Sequence, residues 1–150
     1  MAHTGQLNEN VEVAYVGSAI SMSSSTDNNS TRLDMQGFDG VLFVTTITDS
    51  AATGVATLKV EQNSADSDTG MALITGASAA VTCVTNDDIN GKILIVDVRQ
   101  TRQRYVQGVR TSATANIAFG EIIAIRYGPR LAPLALSSTA AAAAEVVGGA

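Results

Sequence analysis

The chain has 150 residues and a formal net charge of −5, with 9 basic and 14 acidic side chains. This length suits one domain and excludes a second large core. With Cys83 as its one cysteine and His3 as its one histidine, a single copy can form neither an internal disulfide nor a histidine-based metal site or catalytic triad. No segment approaches the ~20 apolar residues of a bilayer span, and the N-terminus lacks a signal-peptide pattern. We therefore expect a soluble protein with no membrane partner.

Eight segments are predicted to form β-strands, because β-branched and aromatic residues dominate them and turn-forming residues bound them. Alternation of apolar and polar residues is clearest around Leu58, as in a strand with one packed face and one solvated face. No segment between strands has the periodicity of an amphipathic helix. The pattern therefore predicts an all-β protein, an antiparallel β-sandwich or barrel. In chain order the segments are NVEVAYVG (10–17), GVLFVTTIT (40–48), ATLKVEQ (56–62), GMALIT (70–75), AAVTCVT (79–85), KILIVDVR (92–99), RYVQGVRT (104–111) and ANIAFGEIIAIRYG (115–128).

The segments outside this pattern define the domain organisation. Ser21 to Thr31 are too polar to pack, which predicts an exposed loop, with ordering by a neighbouring chain as the alternative. Pro129 ends the last strand. Residues 131–150 carry no cation and include five consecutive alanines. We expect one β-sandwich domain over residues 1–130, with an extended N-terminal arm, followed by an alanine-rich C-terminal arm over residues 131–150. The C-terminal arm is expected to lie against another chain, the alternative being that it folds back on its own domain.

Charge is distributed unevenly along the chain. Residues 1–90 carry 2 cations and 11 acidic side chains, whereas residues 91–130 carry 7 cations and 2 acidic side chains. Such a split indicates association of copies with one another or with an oppositely charged partner. The alternative is that neighbouring strands interleave the two signs in space.

Four arginines lie close together in the basic part, within the span from Val96 to Ser112. The RQTRQRY segment between two predicted strands is expected to form a hairpin end that presents its side chains outward. Arginine pairs with phosphate, but the acidic pI near 4.6 and the single nearby aromatic residue, Tyr105, argue against direct nucleic-acid binding. A carboxylate-bearing protein surface is the better partner for guanidinium groups. The partner-binding candidates are Arg99, Arg102, Arg104 and Arg110.

Residue types that carry catalysis or bind metals are poorly represented. Cys83 lies among apolar residues and is interpreted as part of the core. The acidic pairs Asp66/Asp68 and Asp87/Asp88 resemble calcium loops only superficially, and turn formation is favoured because Asp and Asn bond their own backbone. The glycines match no phosphate-binding spacing. We therefore predict no catalytic residue, no metal and no cofactor, so that the protein is not an enzyme.

Two longer stretches of the chain are FDGVLFVTTITDSAATGVATLKVEQNSADSDTG (38–70) and GKILIVDVRQTRQRYVQGVRTSATANIAFGEIIAIRYGPRLAP (91–133). They resemble small structural proteins of tailed bacteriophages, some of which are capsid decoration or cement proteins. The resemblance spans residues 37–134. In such proteins a strand ending in V-x-L-x-x-Q-x-S-x-D-x-G precedes a V-D-V strand, an R-x-R-Y-V turn and an A-I-x-Y-G-x-R-x-x-P ending. The matching positions here are Leu58 to Gly70, Val96 to Val98, Arg102 to Val106 and Ala124 to Pro133.

The resemblance implies a jelly-roll-like sandwich that assembles as a homo-oligomer, with a trimer as the expected form. It also implies a capsid decoration protein, made in the host cytoplasm, that binds the major capsid protein on the outer head surface between capsomers and stabilises the shell. A head-completion, neck or tail ring component of the virion is the first alternative. A host-glycan-binding module is the second, although the chain has no Trp and only 3 Tyr and 3 Phe to form aromatic platforms.

Overall fold

A computed structural model describes residues 7–131 and shows an almost entirely β protein. Within these residues no helix is long and apolar enough to span a membrane. The elements are α1 (Leu7–Asn10), β1 (Val11–Gly17), β2 (Ile20–Ser23), β3 (Thr26–Asn29), β4 (Leu33–Asp34), β5 (Phe38–Ser50), β6 (Val55–Asn63), β7 (Ala72–Thr82), β8 (Ile93–Arg99), β9 (Tyr105–Ala113) and β10 (Ile117–Pro129).

The strands form two antiparallel sheets that pack face to face. Sheet A has the order β1-β10-β5-β8, with β2 also paired to β10, and sheet B has the order β3-β9-β6-β7, with β4 also paired to β9. The pairing is nested: β1 pairs with β10, β3 with β9, β5 with β8 and β6 with β7. A long antiparallel ribbon folded over in this way is a jelly roll. The predicted jelly-roll-like β-sandwich is therefore confirmed.

The core lies between the two sheets and follows from the alternation seen in the sequence. In β6 the side chains of Ala56, Leu58 and Val60 are fully buried, while the intervening residues are only partly buried. Opposite them, sheet A contributes Phe43 and Ile122, which are also almost inaccessible to solvent. Cys83 has no exposed surface and belongs to the same cluster, so its interpretation as a core residue is confirmed.

Two predicted features of the chain take a different form. Residues 72–75 of GMALIT and residues 79–82 of AAVTCVT lie on one strand, β7, because Gly76 adopts a positive φ of 82° and the strand continues through an irregularity in its pairing with β6. Ser21 to Thr31, predicted to form a loop, contain most of β2 and all of β3. These residues are largely exposed, as predicted, yet their backbone pairs with β10 and β9. Local polarity does not prevent a segment from joining a sheet edge, where backbone groups supply the bonds.

Little of the two predicted arms falls within the described residues. Of the N-terminal arm, the structure shows the four-residue helix α1. Of the C-terminal arm it describes only Leu131, which is 87% exposed, and residues 132–150 lie outside the described part of the chain.

Candidate functional site

The arginine-rich segment connects the two sheets and does not close a hairpin. β8 belongs to sheet A and pairs with β5, whereas β9 belongs to sheet B and pairs with β3, β4 and β6, so residues 100–104 cross from one sheet to the other. The expected hairpin is therefore wrong, because in the nested ribbon β8 and β9 have partners from earlier in the chain. We call this end of the sandwich, formed by residues 99–104 with the neighbouring Arg130, the arginine end.

The crossing loop is held at both sides by hydrogen bonds that its backbone N–H groups donate. Gln100, which has a positive φ of 54°, donates its N–H to the Asp39 carbonyl oxygen of β5 over 2.7 Å. On the other side, the Gln62 Oε1 atom of β6 accepts from the N–H groups of Arg102 and Gln103 over 3.2 and 3.3 Å. Both sheets thus fix the backbone from which the arginine side chains project.

Arg99 and Arg102 are exposed, and neither forms an ion pair with any residue in the range 7–131. Arg99 lies at the end of the sheet edge β8, on the outer face of sheet A. Arg102 lies between two recesses that flank the crossing loop. One recess, of about 440 Å³, is lined by Leu73, Ile74 and Arg99, and the other, of about 620 Å³, is lined by Arg104 and Arg130.

Arg104 is exposed but already paired within the chain. Its Nε and Nη2 atoms form a two-point contact with the Asp34 carboxylate over 3.0 and 2.7 Å, and its guanidinium lies 5.3 Å from the centre of the Tyr105 ring. These hydrogen bonds from Arg104 are the main reason why the pKa of Asp34 is lowered below its ordinary value. An outside carboxylate would have to compete with Asp34, so Arg104 is a weaker candidate than its neighbours.

Arg110 does not belong to the exposed group. It lies on the inner face of β9 with 2% of its surface exposed, and its Nη1 atom donates to the Ser18 carbonyl oxygen over 2.9 Å and to the Gly120 carbonyl oxygen over 2.6 Å. Burial lowers the pKa of its guanidinium. The prediction that Arg110 binds a partner on the surface is therefore wrong, because its position in the strand points it between the sheets.

Arg130 is a further exposed cation at the arginine end, and it lies outside the cluster of four arginines in the sequence. Its N–H donates to the Gly37 carbonyl oxygen over 2.9 Å, which holds it beside the larger recess. In the described part of the chain it has no ion-pair partner. Arg130 follows Arg110 by twenty residues, so its position in the sequence does not indicate that it lies near Arg102. The two come close only because β10 returns to the same end of the sandwich.

Part of the charge split is resolved within the chain. Arg126 forms an ion pair with Glu12 and donates to the Asp34 carbonyl oxygen over 2.5 Å, and Arg104 pairs with Asp34. Basic residues from the second part of the chain therefore do meet acidic residues from the first, as the interleaving alternative expected. That leaves Arg99, Arg102 and Arg130 exposed at one end of the sandwich.

The acidic pairs have structural partners. Asp66 and Asp68, in the connection between β6 and β7, each accept a hydrogen bond of 2.6 Å from Arg32. In the connection between β7 and β8, Asp88 accepts from the backbone N–H groups of Val84 and Thr85 over 3.0 and 3.1 Å, as expected of a turn. Among residues 7–131 no group of three or more His, Cys, Asp or Glu side chains is placed to hold a metal ion.

Comparison with known proteins identifies the fold. No protein-family model matches the chain, and no curated protein sequence matches it. Among solved structures it is similar to the crystal structure of the PBSX exported protein XepA, with 12% sequence identity and a TM-score of 0.53. The match covers 98% of this chain and 47% of XepA, so the chain spans about half the length of that protein. The similarity shows that the two share a fold.

Proposed function

We propose that this chain is a structural protein of a tailed-phage particle and that it acts as a capsid decoration protein. The shared fold with XepA, a phage-associated protein, supports the phage context. The motifs of the 37–134 segment support the structural class, since they are similar to those of small virion proteins. In this role the protein binds the outer surface of the head, between capsomers, after synthesis in the host cytoplasm.

The observation that carries the proposal is the set of exposed guanidinium groups at the arginine end, those of Arg99, Arg102 and Arg130, that form no ion pair with any of residues 7–131. Arg99 and Arg102 project from a backbone that Asp39 and Gln62 hold from the two sheets. A preorganised loop loses little conformational freedom on binding, which lowers the cost of association. Guanidinium groups form two-point contacts with carboxylates, so acidic side chains of the major capsid protein are the expected partners.

A rigid β-sandwich is suited to holding neighbouring shell subunits together without catalysing a reaction. Attachment to several shell subunits at once makes weak individual contacts sufficient, and the bound protein stiffens the shell by resisting separation of those subunits. We infer no catalysis, no cofactor and no direct contact with nucleic acid or membrane in this role. A threefold cluster of copies is the expected arrangement by analogy with similar virion proteins.

The proposal is tested by binding to phage heads that lack this protein. Arg102→Glu reverses one charge at the arginine end, and Lys92→Glu is its control, because Lys92 is also exposed, immediately precedes β8 and forms no ion pair within residues 7–131. Each substitution changes the charge by the same amount. We expect Arg102→Glu to weaken binding at least about ten-fold, as loss of charge-assisted contacts would, and Lys92→Glu to change it less than two-fold. Equal binding by both variants would show that the arginine end does not contact the head.

Copy number separates decoration from the alternative of a ring component. The opposite end of the sandwich carries the exposed carboxylates of Asp87 and Asp88, so head-to-tail association of this end with the arginine end is the geometry that a ring requires. Quantification of the chain in purified particles should give hundreds of copies for a decoration protein. About a dozen copies would favour the ring and contradict decoration.

A further inference from the structure

Arg110 is a buried cation that forms no ion pair with any residue in the range 7–131. Taking a charged group out of water is costly unless an opposite charge or a full set of hydrogen bonds replaces the water. Burial lowers the pKa of the Arg110 guanidinium, and electrostatic interactions with Tyr15 and Glu121 offset only part of that effect. The charge of Arg110 is therefore incompletely compensated within the described part of the chain.

The hydrogen bonds of the Arg110 side chain are incomplete as well. Nη1 donates to the carbonyl oxygens of Ser18 and Gly120, which uses both of its hydrogens. Nε is buried and has no acceptor, and no residue that the structure describes accepts a hydrogen bond from Nη2. A buried charged group with unused donors carries a desolvation cost that an added acceptor would remove.

A recess of about 470 Å³ adjoins Arg110, and we call it the serine recess. Asn28 lies directly opposite Arg110 in the pairing of β3 with β9, so the two side chains point to the same face of sheet B. The Tyr15 hydroxyl donates to Ser18 Oγ over 3.1 Å, which leaves Ser18 its own proton to donate. No carboxylate belongs to the described residues that line the recess, so its lining is positive and rich in donors. Besides Arg110, the polar side chains of the lining are those of Ser18, Ser21, Ser23, Asn28 and Asn29.

Gly17 leaves free space beside the guanidinium at the wall of the serine recess. A Cβ atom at this position would lie 3.1 Å from Nη2 of Arg110 and 2.7 Å from Cγ2 of Ile122. Gly17 also belongs to the lining of the recess. Because Nη1 is occupied and Nε is buried, Nη2 is the nitrogen that an incoming acceptor can reach.

We propose that the serine recess binds a small oxyanion, a phosphate or a carboxylate, through Nη2 of Arg110. Guanidinium, hydroxyl and amide groups are donors to such anions, and the guanidinium adds charge to the hydrogen bond. The anion supplies the negative charge and the acceptor oxygens that Arg110 lacks. Because only 2% of Arg110 is exposed, the site suits a small molecule from solution rather than a protein surface. The recess shares no residue with the arginine end, so this inference does not depend on the capsid assignment.

The chain provides a matched pair of substitutions. Ala19 is exposed and lines the serine recess, so Ala19→Glu places a carboxylate there that competes with the ligand for Arg110. Ala80 is also exposed but lies on β7, outside the recess, so Ala80→Glu changes the charge by the same amount elsewhere. Neither substitution removes a hydrogen bond of Arg110, and far-UV circular dichroism checks that both variants keep the β fold. Arg110→Met is a further variant that removes the guanidinium itself.

Nuclear magnetic resonance titration of the full, isotope-labelled chain at pH 7 measures binding at the Nε–H signal of Arg110 and the backbone amide signal of Asn28. Inorganic phosphate and acetate are the two probes, each compared with sodium chloride at the same ionic strength. We expect both signals to shift saturably with phosphate, with acetate or with both, and not with chloride. The probe that binds more tightly identifies the class of anion.

The variants should separate the serine recess from the exposed arginines. Ala19→Glu should weaken binding of the probe at least about ten-fold, Ala80→Glu should change it less than about two-fold, and Arg110→Met should abolish the shift at Asn28. The proposal would be overturned if the Arg110 signal stayed in place with both probes, or if chloride moved it equally. Equal binding by Ala19→Glu and Ala80→Glu would also overturn it, and that comparison holds even if Arg110→Met does not fold.

Discussion

Arg110 of β9 donates a hydrogen bond from Nη1 to the Gly120 carbonyl oxygen of β10 over 2.6 Å, so a guanidinium of sheet B holds the backbone of sheet A. Gly120 lies where the pairing of β10 with β5 shifts register, and such an irregularity leaves backbone groups without a partner in the sheet. The same Nη1 atom reaches the Ser18 carbonyl oxygen, between β1 and β2. One buried side chain therefore satisfies carbonyl groups at two irregular points of sheet A.

Arg110→Met should destabilise the protein by about 1–3 kcal/mol, because it leaves buried carbonyl oxygens without a charged donor. Removal of a buried charge acts in the opposite direction, but the lost bonds dominate since the arginine supplies both contacts. Urea denaturation measures the change, with the exposed Arg102→Met as the control, expected within about 0.5 kcal/mol of the unsubstituted protein. An Arg110→Met protein of equal or greater stability would show that the cost of burying the guanidinium exceeds the value of its bonds.

Gly108 makes close packing between the sheets possible. A Cβ atom at this position would lie 2.7 Å from Ile122 Cδ1 and 2.9 Å from Phe43 Cδ1. Gly108→Ala should therefore cost about 1–3 kcal/mol through overpacking. Ile122→Val removes the nearer atom, so the double variant should be more stable than the sum of the two single effects predicts. Additive free energies of unfolding would contradict a direct contact between these positions.

The Asp34–Arg104 pair should make the free energy of unfolding decrease at acidic pH. Because its hydrogen bonds to Arg104 lower the pKa of Asp34 below 3.8, folding favours the ionised carboxylate, and the stabilisation is present above that pH. It is lost as the pH falls below 3.8 through the lower pKa of the folded state. Both side chains are partly exposed, at 50% and 38%, so the contribution at pH 7 is about 1 kcal/mol or less.

Chemical denaturation from pH 7 to pH 2 tests this pair. The stability difference between the unsubstituted protein and Arg104→Gln should shrink as the pH falls. Arg102→Gln is the control and should show no such trend, because Arg102 has no carboxylate partner among the described residues. A difference for Arg104→Gln that stays constant down to pH 2 would mean that Asp34 gains nothing from the contact.

Tyr127 should ionise late in an alkaline titration. Burial, followed by the 2.6 Å hydrogen bond that its hydroxyl donates to Asp97, raises the pKa of the phenol above its ordinary value of 10.0. Folding favours the protonated phenol, so this contribution is complete below pH 10 and is lost as the pH rises through the folded-state pKa. Tyrosinate absorbance should contain a late component that Tyr127→Phe removes. If the substitution removes an early component instead, the hydroxyl is not held by Asp97.

Most strands were predictable because the alternation that defines a strand is local. The segment around Leu58 shows apolar residues every second position, and β6 buries those positions. The division of β7 into two predicted strands failed at Gly76, where the sequence suggests a turn but the chain continues through an irregular pairing. Short strands such as β3 had no apolar pattern to reveal them, since edge pairing relies on backbone groups.

The candidate site was predicted only in part. Arg99 and Arg102 are exposed as expected, but Arg110 is buried although it lies in the same cluster of the sequence. The sequence predicts that an arginine in an otherwise apolar strand lies at the surface, because burying a charge is costly. The bulged backbone at Gly120, which makes that burial possible, lies on another strand and leaves no sign in the neighbourhood of Arg110.

By itself, the sequence determined that this protein is a β-sandwich whose basic residues are concentrated late in the chain. Those properties depend on composition and on alternation over a few residues, which act locally. Only the tertiary structure decided which face of each sheet meets the other, which arginines remain in water, and that sheet A presents an apolar outer surface. β5 and β10 are apolar on both faces, so their own residues cannot select the inner one. That choice depends on the nested pairing of strands far apart in the chain.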